Sequence, residues 1–237
     1  MAKKPIRYPD KVTVIYDDSH WSLLSNMREE ATALIRTLLK HGIESEVHGS
    51  VARGDVESRS DVDVIVRNPI SSSRIELALS LEGHQIFSRE FAQATPNLVP
   101  KGHIFLDPFE KRCVSFPLLP FRKQEYDFYR FGGIIDLDGL ARRDRVPGCT
   151  KKLTLIEPFE SGHYESSIIG REAEVARLLG IKIDVVLERI RVLMRRDEIG
   201  RTGNFIIQIL KEDESFEGVL KRLAETNPAV RRALLKR

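Results

Sequence analysis

Apolar residues recur at helical spacing over residues 21–40. Leu23, Leu24, Met27, Ala31, Leu34, Ile35, Leu38 and Leu39 fall on one face, which predicts an amphipathic helix, with Gly42 ending it. Short β-branched and apolar runs predict strands over 11–16, up to Val47, and over 62–66. A second helix is expected over 71–81, then strands at 85–89, 103–107 and 113–118. The aromatic group Phe121, Tyr126, Phe128, Tyr129 and Phe131, followed by Gly132-Gly133, reads as core, with stacking on a base as the alternative. Residues 134–170 carry the least readable pattern. There Asp136-Leu137-Asp138 reads as a solvated loop or strand end, Arg142-Arg143-Asp144-Arg145 as a solvated face, and His163 shows no evident partner.

From residue 170 the pattern becomes helical again and has the form of a helix-turn-helix unit. Ala176 is small enough for a close helix crossing and Gly180 suits the turn, while Ile181, Val186, Ile190 and Leu193 give the second helix a buried stripe. Asp184 is the expected N-terminal cap of that helix. Residues 195–206 are expected to form a turn and a wing-like strand, and 216–235 one or two helices with Pro228 near the break. The expected architecture is α+β: a mixed sheet with flanking helices over 1–133, a connecting region over 134–169, and a mostly helical, winged-helix-like module over 170–237.

Composition narrows the class. The chain has 237 residues, 41% of them hydrophobic and 31% charged, which leaves room for one large domain or two small ones and speaks against bulk disorder. The basic start is not followed by an apolar segment of signal-peptide length, and no stretch approaches the roughly 20 apolar residues that span a bilayer, so a cytoplasmic protein without membrane association is expected. Cys113 and Cys149 lack metal-ligand spacing and are expected to be reduced and structural. Residues 151–237 hold 17 basic against 14 acidic side chains while residues 1–150 hold 21 of each, so the net charge of +3 is all C-terminal. That placement suits a module that meets the phosphate backbone of RNA or DNA.

The candidate chemistry sits between two of the expected strands. Gly49-Ser50, at the end of the strand through Val47 and His48, forms a turn where backbone N–H groups and a hydroxyl can approach phosphate oxygens with no Cβ in the way. Arg53 adds a permanent cation that either approaches the phosphates or pairs with Asp55 or Glu57. In Asp61-Val62-Asp63 the carboxylates alternate with one apolar residue, so a strand places both on one face, about 7 Å apart along the backbone. One or two divalent cations can be held between them.

The ordered set of strand, Gly49-Ser50, Ala52-Arg53-Gly54, Ser60-Asp61-Val62-Asp63 and an apolar strand resembles the signature of the DNA polymerase beta-like nucleotidyltransferase superfamily. The resemblance covers residues 43–67 closely and the rest of the first half loosely. It implies transfer of a nucleoside monophosphate from a nucleoside triphosphate to an acceptor hydroxyl, an RNA 3′ end among the possibilities, with Mg²⁺ or Mn²⁺ on Asp61 and Asp63 and the triphosphate on Gly49 and Ser50. The family pattern includes a third carboxylate on a neighbouring strand. Asp107 is the nearest acid there, although it abuts a turn and lies about 13 Å from His103, the point closer to the family's third position. Glu90 and the absence of a third ligand are the alternatives. A catalytically silent regulator that senses a nucleotide and binds DNA is the competing class, which an exposed face of Arg189, Arg191 and Arg195 on a symmetric dimer favours.

Overall fold

The 3.6-residue pattern after Asp17 folds as the longest helix of the protein in the computed structural model, which describes residues 11–200 and 203–235. In chain order the first half holds β1 (Val12–Ile15), α1 (Asp18–Lys40), β2 (Ser45–His48), α2 (Ser50–Arg53), β3 (Val62–Val66), α3 (Ser72–Leu81), β4 (Ser88–Gln93), β5 (Lys101–Phe105) and β6 (Arg112–Pro117). The second half holds α4 (Lys123–Gly132), β7 (Ile134–Ile135), α5 (Leu137–Ala141), β8 (Gly148–Cys149), β9 (Thr154–Phe159), β10 (Gly162–Ser167), α6 (Glu172–Leu179), α7 (Ile183–Ile199), β11 (Ile206–Ile209), α8 (Phe216–Thr226) and α9 (Pro228–Leu235). The described chain gathers into two units. One takes residues 11–30, 47–60 and 126–200, the other 31–46, 61–125 and 203–235.

In the first unit an antiparallel sheet runs in the order β1-β10-β9-β8, and β7 pairs with the end of β2 through Val47↔Ile135 and His48↔Ile134. The poorly readable stretch thus contains a hairpin, β9 to β10. Asp136, expected in a solvated loop or at a strand end, directly follows β7 and caps α5, its Oδ1 accepting from the Gly139 N–H at 2.8 Å. The helix-turn-helix pattern is realised as α6 and α7, joined through Gly180 in the left-handed conformation (φ 61°). Val175, Ala176, Leu179, Val185, Val186 and Leu193 form one core with Leu153, Leu155 and Ile168 of the hairpin region. Asp184 is not the cap of α7: Lys182 holds that position, and Asp184 lies in the first turn, where its charge faces the positive end of the helix dipole.

The second unit is a mixed sheet in the order β11-β4-β5-β6-β3, with β3 parallel to β6 and the other pairs antiparallel. Phe91, Ile104, Val114, Phe116, Val62 and Val64 are buried, and Phe116 meets Phe216 of α8 edge to face at 5.0 Å. Ile35 and Leu38 of α1 and Ile75 and Leu79 of α3 are buried in the same unit. The strand expected at 85–89 begins only at Ser88, after α3 has closed at Leu81. The expected wing is β11, and it pairs with β4 from Ile206↔Gln93 to Ile209↔Glu90 as the edge of this sheet, so a winged-helix module is not confirmed. Cys113 and Cys149 are buried free thiols.

Candidate active site

Gly49 stands at the N-terminal cap of α2 with φ 86° and ψ −141°, a conformation reserved almost entirely for glycine, and the space where a Cβ would stand is open to 4 Å. Its N–H is committed to the Gly133 carbonyl at 2.9 Å, which fixes the turn on the strand end that precedes it. Ser50 donates from Oγ to Ser60 Oγ at 3.1 Å, and Ser60 Oγ accepts from the Glu57 N–H at 2.9 Å. The hydroxyl of the turn is therefore tied to the residue that precedes Asp61 in the chain. Arg53 is 6% exposed. It pairs with both oxygens of Asp55, each at 2.9 Å, and donates to the Gly132 carbonyl. Of its two sequence-level roles, this is the pairing with Asp55. Gly133 leaves the room for that side chain, since a Cβ there would stand 2.7 Å from Arg53 Cγ.

A four-residue helix cannot hold itself, because nucleating one turn fixes more dihedrals than its bonds repay. Here the carbonyls of α2 and its end are held from outside. Arg28 on α1 donates to the Val51 and Ala52 carbonyls, each at 3.1 Å, and His20 Nε2 lies 2.8 Å from the Gly54 carbonyl. Donors at that end also suit the negative pole of the helix. His20 in turn stacks on Tyr16 at 3.6 Å between centroids. The Tyr16 hydroxyl meets His163 Nδ1 at 2.6 Å, and His163 Nε2 meets Glu165 at 3.1 Å. Burial first and the charge of Asp55 second push the Tyr16 hydroxyl up to about 12, so it stays protonated. Burial, then the like charge of Arg145, brings Arg28 down to about 10. Sequence reasoning missed this support entirely. Its only sequence signal is the aromatic and histidine content of 16–21, because Arg28 lies 23 and 24 residues from the carbonyls it holds, His20 34 from Gly54 and Tyr16 147 from His163.

The carboxylates belong to the other unit. Asp61 is exposed just before β3 and its Oδ1 pairs with Lys111 Nζ at 3.2 Å. Asp63 is half-buried inside β3, on the same face by strand alternation. In register, Asp63 lies beside Cys113 and then Phe105, and Ser115, His103 and Glu90 follow two residues along the same face. Burial first and Asp63 second push the Cys113 thiol up to about 12. His103, with Nδ1 2.7 Å from Ser115 Oγ, is brought down to about 4 by burial and then by Lys101. Burial, then Glu110, raises Glu90 above its ordinary value. Glu90 is about 16 Å from Asp63, three strand spacings across and two residues along, too far to chelate one ion with it.

Asp107 closes the turn between β5 and β6. Its Oδ1 accepts from the Phe109 and Lys111 N–H groups at 3.0 and 3.1 Å, its Oδ2 from the Arg112 N–H at 2.8 Å, and Arg112 Nε stands 3.6 Å from Oδ2. Burial alone would raise this carboxyl, but the three N–H groups and Arg112 outweigh it and hold it below the usual range. Among the described residues no group of three His, Cys, Asp or Glu side chains is placed to hold a metal ion. The arrangement offers two carboxylates, a donor set that suits Mg²⁺ when substrate phosphates and water complete the coordination.

Comparison with known proteins bears on the turn and on the carboxylates alike. Residues 29–126 match the model of the Nucleotidyltransferase domain, a span that contains Gly49, Ser50, Arg53, Asp61, Asp63, Glu90 and Asp107. The match supports the nucleotidyltransferase superfamily and, with it, a transferase that handles nucleotides. No curated protein matches the chain. Among the described residues no helix is long and apolar enough to cross a membrane.

Proposed function

We propose that the protein is a metal-dependent nucleotidyltransferase that moves a nucleoside monophosphate from a nucleoside triphosphate to an acceptor hydroxyl such as an RNA 3′ end. One observation carries the reading: within the matched span, the Gly49-Ser50 turn, open where a Cβ on Gly49 would stand, is followed eleven residues on by Asp61 just before β3 and by Asp63 within it. In the reaction the acceptor oxygen attacks the α-phosphorus, the bond to the β-phosphate oxygen breaks, pyrophosphate leaves with the electron pair, and the hydroxyl proton passes to solvent base. Such transfers ask the protein mainly for position and charge. Gly49 and Ser50 seat the triphosphate tail, with Arg53 shaping the turn from beneath through Asp55 and Gly132. Asp61 and Asp63 hold Mg²⁺ or Mn²⁺, which when bound supplies positive charge for the developing oxyanion and the leaving group. Lys111 balances Asp61 until the cation arrives. Asp107, which accepts three backbone N–H groups of the β5–β6 turn, is the carboxylate proposed for the third position.

Incubation with Mg²⁺, each labelled triphosphate and a pool of cellular RNA tests the reading. Label transfer that falls by about a thousandfold in Asp61→Asn or Asp63→Asn, with circular dichroism unchanged, is the expected result, about 4 kcal/mol of transition-state stabilisation. Unaltered turnover in both variants would overturn the assignment. The regulator reading loses one support, because Arg189 is half-buried over Phe128 rather than part of an exposed basic face with Arg191 and Arg195.

A further inference from the structure

Arg189 is the least explained cation of the first unit. It projects from α7 across the ring of Phe128, with Cζ 4.8 Å from the ring centroid. Its Nε is sealed from solvent and has no hydrogen-bond partner among the described residues. Stacking satisfies the face of a guanidinium but not its in-plane N–H donors, and the Nε–H is the one left without an acceptor. Neighbouring charge makes the need greater. Arg196 stands two turns along the same helix, and its like charge adds to the effect of burial in bringing Arg189 down to about 10, which leaves Arg189 cationic at neutral pH. The Phe128 ring stacks on His48 at 6.2 Å, and His48 is the residue that leads into Gly49. The cation is thus placed one aromatic ring behind the strand end that feeds the phosphate turn.

We infer that Arg189, assisted by Arg196, is an anion site that takes a phosphate group. The choice of phosphate rests on the nucleotidyltransferase reading; the need for an anion rests on the unpaired donor and the two like charges. A guanidinium gives a phosphate two parallel N–H bonds, and Phe128 holds its plane in place so that little side-chain freedom is lost on binding. The same phosphate chemistry has two sources here, the tail of a free nucleotide and the backbone of a nucleic-acid acceptor.

The test uses the full chain as wild type, Arg189→Met, Arg189→Lys and Arg196→Met, without divalent cation. Binding of inorganic pyrophosphate and of a short single-stranded RNA lacking a terminal phosphate is measured by calorimetry and anisotropy, beside thermal unfolding. The expected result is about a tenfold loss of affinity in Arg189→Met for at least one ligand and a smaller loss in Arg189→Lys, while ligand-free melting stays level or rises because an unpaired buried charge is gone. Loss for pyrophosphate alone assigns the site to the nucleotide tail. Loss for RNA, with a salt slope shallower by about one, assigns it to the backbone. Unchanged binding of both ligands to a folded Arg189→Met overturns the inference. If that variant fails to fold, Arg196→Met decides in its place, with about a threefold loss expected and unchanged binding overturning the site. The Asp61→Asn, Asp63→Asn variant should retain this binding, so failure of the transferase reading is scored separately by activity.

Discussion

At the residue scale, two positions separate shape from charge. Gly49 occupies a backbone region that other residues enter at a cost of about 1–3 kcal/mol, and no side chain would block a methyl group there. Gly49→Ala should therefore lower stability by that amount through the backbone alone and raise KM for the triphosphate more than it lowers kcat, as read by denaturant titration and steady-state kinetics. Asp107 carries three backbone N–H groups, so Asp107→Ala should cost about 2 kcal/mol by the same titration. Because its folded pKa lies below the unfolded value near 3.9, the Asp107 contribution is present in full above that value. It fades as pH falls through the folded pKa, and the gap between wild type and Asp107→Ala should close in acid. The turn at Gly49-Ser50 and the strand over Val62–Val66 were legible because turn chemistry and strand alternation are local. The ties of His163 were not, since Tyr16 stands 147 residues away.

At the element scale, α2 shows how a short segment is made rigid from its neighbours. Replacing Arg28 by Met leaves the Val51 and Ala52 carbonyls without their donor, and the expected cost is about 2–3 kcal/mol in chemical denaturation. Hydrogen exchange at Ala52 and Arg53 should quicken in the same variant, with the amides of β5 unaffected. The elements with strong apolar periods, α1, α3, β3 and α7, were readable over most of their length. The β9–β10 hairpin was hidden for a physical reason: His163, Ser166 and Ser167 are buried polar residues, which removes the alternation that marks a half-buried strand. The start of β4 was misplaced because Ser88-Arg89-Glu90 offers little β propensity, and its place is decided by pairing with β5 and β11.

At the scale of the whole molecule, the chain alternates between the two units instead of completing one before the other. The sheet that carries Asp63 includes β11, and Phe216, Val219, Leu220 and Val230 are buried in the same unit. A chain cut after residue 169 should accordingly lose its cooperative melt and bind a hydrophobic dye. A sharp transition in such a fragment would contradict the division. Pairing of β11 with β4 also sets a schedule for synthesis: the strand that borders Ser88–Gln93 is made more than a hundred residues after it. During translation the sheet that carries Asp63 waits with that border bare, open to chaperones and to other nascent chains. A ribosome that stalls or shifts frame before Ile206 therefore releases a product with every proposed reacting residue in place and a sheet left unfinished.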